Sequence, residues 1–425
     1  MLGATVLGAM PSNAPFPQDL DMGCVFVDMD CFFASVEEKQ RGLSDRPLVV
    51  GGHDGRGAVC SANRSARQLG VRSGESLSSV RRRFGDAVSI ADVRMELYQA
   101  ESLHVMAVLR EFGLPMQQMS IDEAALDARR AVDKLGQGGL AGVRVAQRMR
   151  QLVRQECGLA MSVGVSRGVV TAKMAVEDAK PDGLRVIGRD EFEEWFYAKT
   201  LGSIPGVGPT AALAMRNAGY HTVRDVATLS ESKLCHTLGR SRGSWLFGVV
   251  SGKHDTPDVH EAGSATSIGC ERTLAAPVFT AAEAGPVISH CVADVCGRAL
   301  VLGLYAGGVR VKTTDFNGAV RSKQRSLRHT RDFETVRGVS ETLVDELLRS
   351  STGGSRLVGV SLYGLSAYEE PTLFDIDTPQ LQLSVGSFVH HPVFGEGLVS
   401  VVGETYARVS FQDKRRDVAI CNLVV

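Results

Sequence analysis

With 425 residues, 22% of them charged and 44% hydrophobic, the chain is too long for one core and is expected to form three or four domains. A formal charge of −1 excludes a general nucleic-acid coat, so any nucleic-acid contact must come from basic residues gathered on one surface. Nine cysteines without a Cys-x-x-Cys pair or zinc-like spacing exclude a disulfide scaffold and read as reduced thiols.

Residues 1–20 lack the basic start and apolar centre of a secretion signal and are expected to be a disordered extension; no run is long and apolar enough for a membrane span. From 21 to 190, β-branched runs alternate with helical patterns, predicting mixed α/β structure around one sheet. Strands are expected at Gly23–Val27, Leu48–Gly51, Ala58–Cys60, Val88–Ile90, Met119–Ile121, Ala124–Asp127 and Met161–Val165. The first runs directly into Asp28-Met29-Asp30-Cys31-Phe32-Phe33, and about ninety residues later comes Ser120-Ile121-Asp122-Glu123. An adjacent acidic pair is most often a solvated turn. Adjacent carboxylates at a strand turn, with another at the end of a second strand, are also what a two-magnesium site needs. Hard cations take oxygen ligands, and about three carboxylates hold two ions roughly 3.5–4 Å apart. Val145, Met149, Leu152 and Val153 recur at helical spacing, leaving Arg144, Arg148 and Arg154 as a solvated face.

From 191 to 255 the pattern is helical. Ile204-Pro205-Gly206-Val207-Gly208-Pro209-Thr210 joins two helices, and its backbone N–H groups suit a DNA phosphate, although a plain helix connection has the same look. The second glycine turn, 238–243, stays undecided. Residues 256–264 read as a linker, followed by an α+β unit to 368. Seven basic residues between Val309 and Arg331 face only Asp315, a local excess of +6 that reads as a solvated face or a phosphate tracker. Residues 369–383 are an acidic second linker, and the last forty residues alternate like a small, separate β-barrel.

Six stretches carry a resemblance: VDMDCFFASVE (27–37), GAVCSANRSARQLGVRSG (57–74), SIDEAALD (120–127), SVGVSRGVVTAKMAVEDAKPDG (162–183), IPGVGPTAALAMRNAG (204–219) and SIGCERTL (267–274). From about 23 to 375 the chain resembles the Y-family translesion DNA polymerases of the DinB (polymerase IV) type. The resemblance implies a right-hand architecture, multidomain α/β and α+β. It comprises a palm (21–35 and 91–190), small fingers (36–90), a helical thumb with a helix-hairpin-helix (191–255) and a little finger (265–368). It further implies error-prone, template-directed DNA synthesis from dNTPs on primer-template DNA, without proofreading, by a cytoplasmic, nucleoid-associated monomer.

By the same resemblance, Asp28, Asp122 and Glu123 hold two Mg²⁺ ions, with the Met29 carbonyl completing one ion's shell. Asp30 is read as structural support. Phe32 and Phe33 bring backbone N–H groups to the triphosphate, and Phe33 is the steric gate under the sugar; both also read as core aromatics. Ser61, Arg67 and Lys180 match phosphate donors, and Ala58 and Cys60 lie near the templating base. Arg64 stands where the family has tyrosine; its guanidinium still donates to phosphate but packs differently. Gly206, Gly208, Arg321, Lys323, Arg325 and Arg328 are the expected DNA contacts.

Glu370-Pro371-Thr372-Leu373-Phe374-Asp375 resembles a sliding-clamp peptide, with Leu373 and Phe374 as its anchors, or else a pair packed on the neighbouring barrel. Residues 384–425, through HHPVFGEGLV, resemble the SH3/Tudor-like barrel of UvrD/PcrA-type helicases, implying recruitment of RNA polymerase or another protein. Two other function classes compete: a non-catalytic accessory protein that recruits partners to stalled forks, and a DNA-binding module built on the glycine hairpin. The first loses force because all three carboxylates are kept; the second leaves them idle.

Overall fold

A computed structural model describes residues 23–43, 46–53, 56–129, 141–257, 259, 265–350, 353–367, 383–391, 394–403, 406–411, 414–419 and 423. The chain divides into two compact units, 1–263 and 264–425.

In chain order the first unit begins with β1 (Cys24–Met29), α1 (Phe32–Arg41), β2 (Leu48–His53), β3 (Arg56–Ala62), α2 (Arg64–Gln68), α3 (Leu77–Phe84), β4 (Ser89–Ala91), α4 (Met95–Arg110), β5 (Met116–Gln118) and β6 (Glu123–Asp127). It continues with α5 (Ala141–Cys157), β7 (Met161–Ser166), α6 (Val169–Ala179), β8 (Leu184–Val186), α7 (Arg189–Ala198), α8 (Pro209–Asn217), α9 (Val223–Ala227), α10 (Glu231–Leu238) and α11 (Arg240–Val250). The apolar run of β1 is buried on both faces because it is the middle strand of a five-stranded sheet, β5-β6-β1-β7-β8. Val25, Val27 and Met29 join one core with residues of α4 and α5, while Cys24 and Phe26 meet Ala172 and Val176 of α6 on the other face. A second, three-stranded sheet, β3-β2-β4, packs on α2 and α3.

One predicted strand is misplaced. Met119–Ile121 is a turn, and the strand before it ends at Gln118. Ser120 Oγ donates to Asp122 Oδ1 at 2.6 Å, while Met119 N–H donates to the Glu123 carbonyl at 2.9 Å. These local bonds close a hairpin in place of extending the strand.

The second unit holds β9 (Ser267–Val278), α12 (Ala281–Val301), β10 (Tyr305–Thr314), β11 (Val320–Thr330), α13 (Phe333–Arg349) and β12 (Ser355–Ser366). They form an antiparallel sheet, β11-β10-β12-β9, with both helices on one face. Strands β13 (Phe388–His391), β14 (Gly395–Val402), β15 (Tyr406–Phe411) and β16 (Arg415–Ala419) make a small antiparallel sheet with its own core. This β module seats on the helices. His391, 1% exposed, meets the Phe333 ring edge-on at 6.3 Å, and a Cβ built on Gly297 would stand 3.2 Å from the Asp417 carbonyl.

Candidate active site

Antiparallel pairing of β1 with β6 sets Asp28 opposite Glu123, and Met29 N–H donates to the Asp122 carbonyl at 3.0 Å. Side chains distant in sequence thus meet at one end of the central sheet, on the floor of a cleft of about 720 Å³. Asp28 is 6% exposed; burial pushes its carboxyl up to about 7 against the pull of the Lys180 hydrogen bond and charge, with Glu123 and Asp122 pushing the same way as burial. Lys180 Nζ donates to Asp28 Oδ2 at 2.8 Å, Lys173 Nζ to Glu123 Oε2 at 2.7 Å, and Ser120 to Asp122.

Drawn toward separate donors, the carboxylates do not close on one point: among the described residues no three acids, histidines or cysteines are arranged to hold an ion. The donor set nevertheless fits hard divalent cations, being all oxygen: three carboxylates and the Met29 carbonyl. The upward push on the Asp28 carboxyl is relieved by added positive charge, which is the electrostatic condition for cation uptake.

Cys31 (φ 50°) turns the chain sharply out of β1 into α1 and offers no side-chain cap, so of the first-turn N–H groups those of Phe32 and Phe33 stay uncapped. Phe32 is 3% exposed and mainly core, whereas Phe33 is half-buried; both line the cleft. Ser61 accepts from Ala34 N–H at 3.4 Å, and Arg64, Arg67 and Lys180 complete a cationic wall. Arg64 opens α2, exposed and facing the cleft, so the departure from tyrosine leaves a cation where phosphate is expected. Cys60 lines the cleft as well, and Ala58 shares its exposed face of β3.

Asp30 borders the cleft too, but its bonds are structural. Its carboxylate accepts from Ser162 Oγ at 2.8 Å and Asp182 N–H at 2.6 Å, pinning the loop that carries Lys180. Arg150 and Arg154 pair with the Asp182 side chain from α5, so the helical arginine face read as solvated is in part structural.

Two neighbours of the site were not legible. Lys173 lies seven residues before Lys180, two helical turns, and that spacing was its only signal. Tyr98, from α4, stacks on Phe33 with ring centroids 4.3 Å apart and 13° between planes; nothing local in the sequence points to it.

The remaining predicted contacts are dispersed. Gly206 has φ +97° and faces the Trp245 ring, which a Cβ would meet at 2.7 Å; Gly208 caps α8 in open space. The basic run divides by strand alternation. Arg321 pairs with Asp315, and Lys323 and Arg325 both pair with Glu346 of α13, on the helix side. Arg310 and Lys312 lie on the open sheet face, bonded to Gln324 and Glu271, and Arg328 is exposed. Leu373 and Phe374 lie outside the described residues.

Comparison with known proteins agrees with this geometry. The impB/mucB/samB family matches residues 27–177, its C-terminal domain 265–375, and a SAM-like helix-hairpin-helix tandem 198–242. DNA polymerase IV of Streptomyces coelicolor is 33% identical, covering 82% of this chain and 72% of its own. DNA polymerase IV of Halorhodospira halophila is 31% identical over 80% of this chain and 94% of its own. A Y-family DNA polymerase chimera built on Dbh superposes with a TM-score of 0.73 at 25% identity, over 80% of this chain and 98% of its own. The chain belongs to the Y-family DNA polymerases. Within them it falls in the DinB, DNA polymerase IV group, and it is a DNA-directed DNA polymerase of translesion synthesis with the divalent-metal dependence general to the family. No helix among the described residues is long and apolar enough to cross a membrane.

Proposed function

We propose that the cleft performs nucleotidyl transfer from a dNTP to a primer 3′-hydroxyl, with Asp28, Asp122 and Glu123 holding two Mg²⁺ ions. The supporting observation is the register that sets Asp28 against Glu123 beside Asp122, under a wall of four cationic or hydroxyl donors. When bound, the ions supply charge neutralisation for the attacking and leaving oxygens. The chain's residues do the rest. Ser61, Arg64 and Arg67 converge with the uncapped N–H groups of α1 on one side of the cleft, a cradle for the triphosphate. Lys180, held by Asp28 and Glu177, is within reach of the same phosphates once cations relieve Asp28. Phe33 presents its ring as the sugar gate.

Residues 21–35 and 91–190 act as palm, 36–90 as fingers, 191–255 as thumb and 265–368 as little finger. The glycine turn at Gly206 and Gly208 tracks a backbone phosphate. In the little finger, Arg310, alongside Arg328, meets the duplex more directly than Lys312, Arg321, Lys323 and Arg325, whose charges are already paired with acids. The sliding clamp is the partner of Leu373 and Phe374, and a second protein that of the terminal β module. The enzyme works on the nucleoid as a monomer.

Primer extension by Asp122→Ala tests the assignment. Extension falls to background while affinity for primer-template DNA stays within about twofold. Undiminished extension removes these carboxylates from catalysis.

A further inference from the structure

One buried anion has no part in the cleft chemistry. Glu37 lies on α1 four residues after Phe33, on the same helical face, and is wholly buried. Its Oε1 accepts from the Tyr98 hydroxyl at 2.8 Å and Arg94 Nε at 2.8 Å. Its Oε2 accepts from Arg94 Nη2 and from Arg41 Nε, both at 2.6 Å. Burial pushes the pKa of this carboxyl up, but the hydrogen bonds from Arg94, Tyr98 and Arg41 outweigh it and hold the pKa below its ordinary value. Glu37 is therefore an anion at working pH.

Burying a charge costs several kcal/mol unless every lone pair is met, and an apolar residue packs such a position at no such cost. What the acid adds is direction. It anchors one end of Tyr98, itself 0% exposed, and the Tyr98 ring lies nearly parallel on Phe33 at 4.3 Å. One face of the Phe33 ring is thereby covered, while the residue still borders the cleft. A ring fixed on one side yields less to an extra oxygen than a ring free to turn about its own bond.

We propose that Glu37 and Tyr98 are positioning residues for sugar selection: the carboxylate orients Tyr98, and Tyr98 stiffens the Phe33 gate against a ribonucleotide. The inference rests on the reading of Phe33 as that gate. It assigns the selectivity to a three-residue stack, not to the size of one ring.

The test is the ratio of kcat/KM for a dNTP to that for the matching rNTP, an internal ratio that partial misfolding leaves unchanged. Tyr98→Phe keeps the ring and removes the hydroxyl, and the ratio falls about three- to tenfold; Glu37→Gln gives a similar fall and Tyr98→Ala a larger one. In a Phe33→Ala background, Tyr98→Phe leaves the ratio where Phe33→Ala alone puts it, because the gate it stiffens is gone. If Phe33→Ala collapses the ratio while Tyr98→Phe and Glu37→Gln both keep the parent value, the stack is only core packing and the proposal fails, with the gate reading intact. If Phe33→Ala itself keeps the parent ratio, both readings fail.

Discussion

The carboxylate cleft of the first unit and the open sheet face of the second use charge in opposite ways. In and behind the cleft the acids are buried or half-buried, and each has a named donor: Lys180 for Asp28, Ser120 for Asp122, Lys173 for Glu123, and Tyr98 with two arginines for Glu37 behind Phe33. On the sheet, Arg310 is exposed and bonded to the neutral Gln324, and Lys312 is half-buried in a surface pair with Glu271. Buried charge is expensive to leave unpaired and gives position; exposed charge is screened and gives attraction along a polyanion. A change in the cleft should therefore cost orders of magnitude, and a change on the sheet a few-fold loss that salt removes.

The largest effect sharpens that contrast. Glu123→Gln keeps the shape and removes one charge; single-turnover incorporation should fall about 10³-fold, with Lys173 left without its partner. A loss under tenfold would mean that Glu123 is a neighbour of the chemistry and not part of it.

A smaller effect probes the exception in the second unit, a buried titratable group of the terminal β module. Burial, followed by the charges of His390 and Arg416, pushes His391 down to about 4 from 6.5. Above pH 6.5 neither state is protonated and nothing is lost. As pH falls from 6.5 to 4 the unfolded chain takes the proton first, so the β module loses about 3 kcal/mol over that window. His391→Phe should flatten the loss, read as hydrogen-exchange protection at Val399 and Val409 corrected for intrinsic rate. An unchanged pH profile would show that His391 is not the acid-sensitive group.

The smallest effect lies on the open sheet. Arg310→Gln with Lys312→Gln should weaken primer-template binding about threefold to tenfold at low salt and reduce the salt slope by about two, with little effect on chemistry in single turnover. An equal loss at high salt would mean that the pair acts through the fold and not through phosphate.

What was legible in the sequence follows the range of the interactions. Asp28, Asp122 and Glu123 could be read because strand ends and turns announce themselves locally, and because the six stretches carry them in one order. The cleft's supports could not. Tyr98 reaches Glu37 across 61 residues and Lys173 reaches Glu123 across 50, with no periodicity linking them. Asp30 was legible only as a support, since its two partners come from 132 and 152 residues away. The basic run is a different case. A count of charge lumped it together, whereas the period of two in β11 already separates Arg321, Lys323 and Arg325 from the residues between them. Met119–Ile121 failed for a third reason: a serine hydroxyl competed with the strand ladder and won.

The seat of the terminal β module has a mechanical consequence. With a backbone oxygen of Asp417 resting over Gly297, a residue without a side chain, any larger residue at 297 would lift the module away from α12.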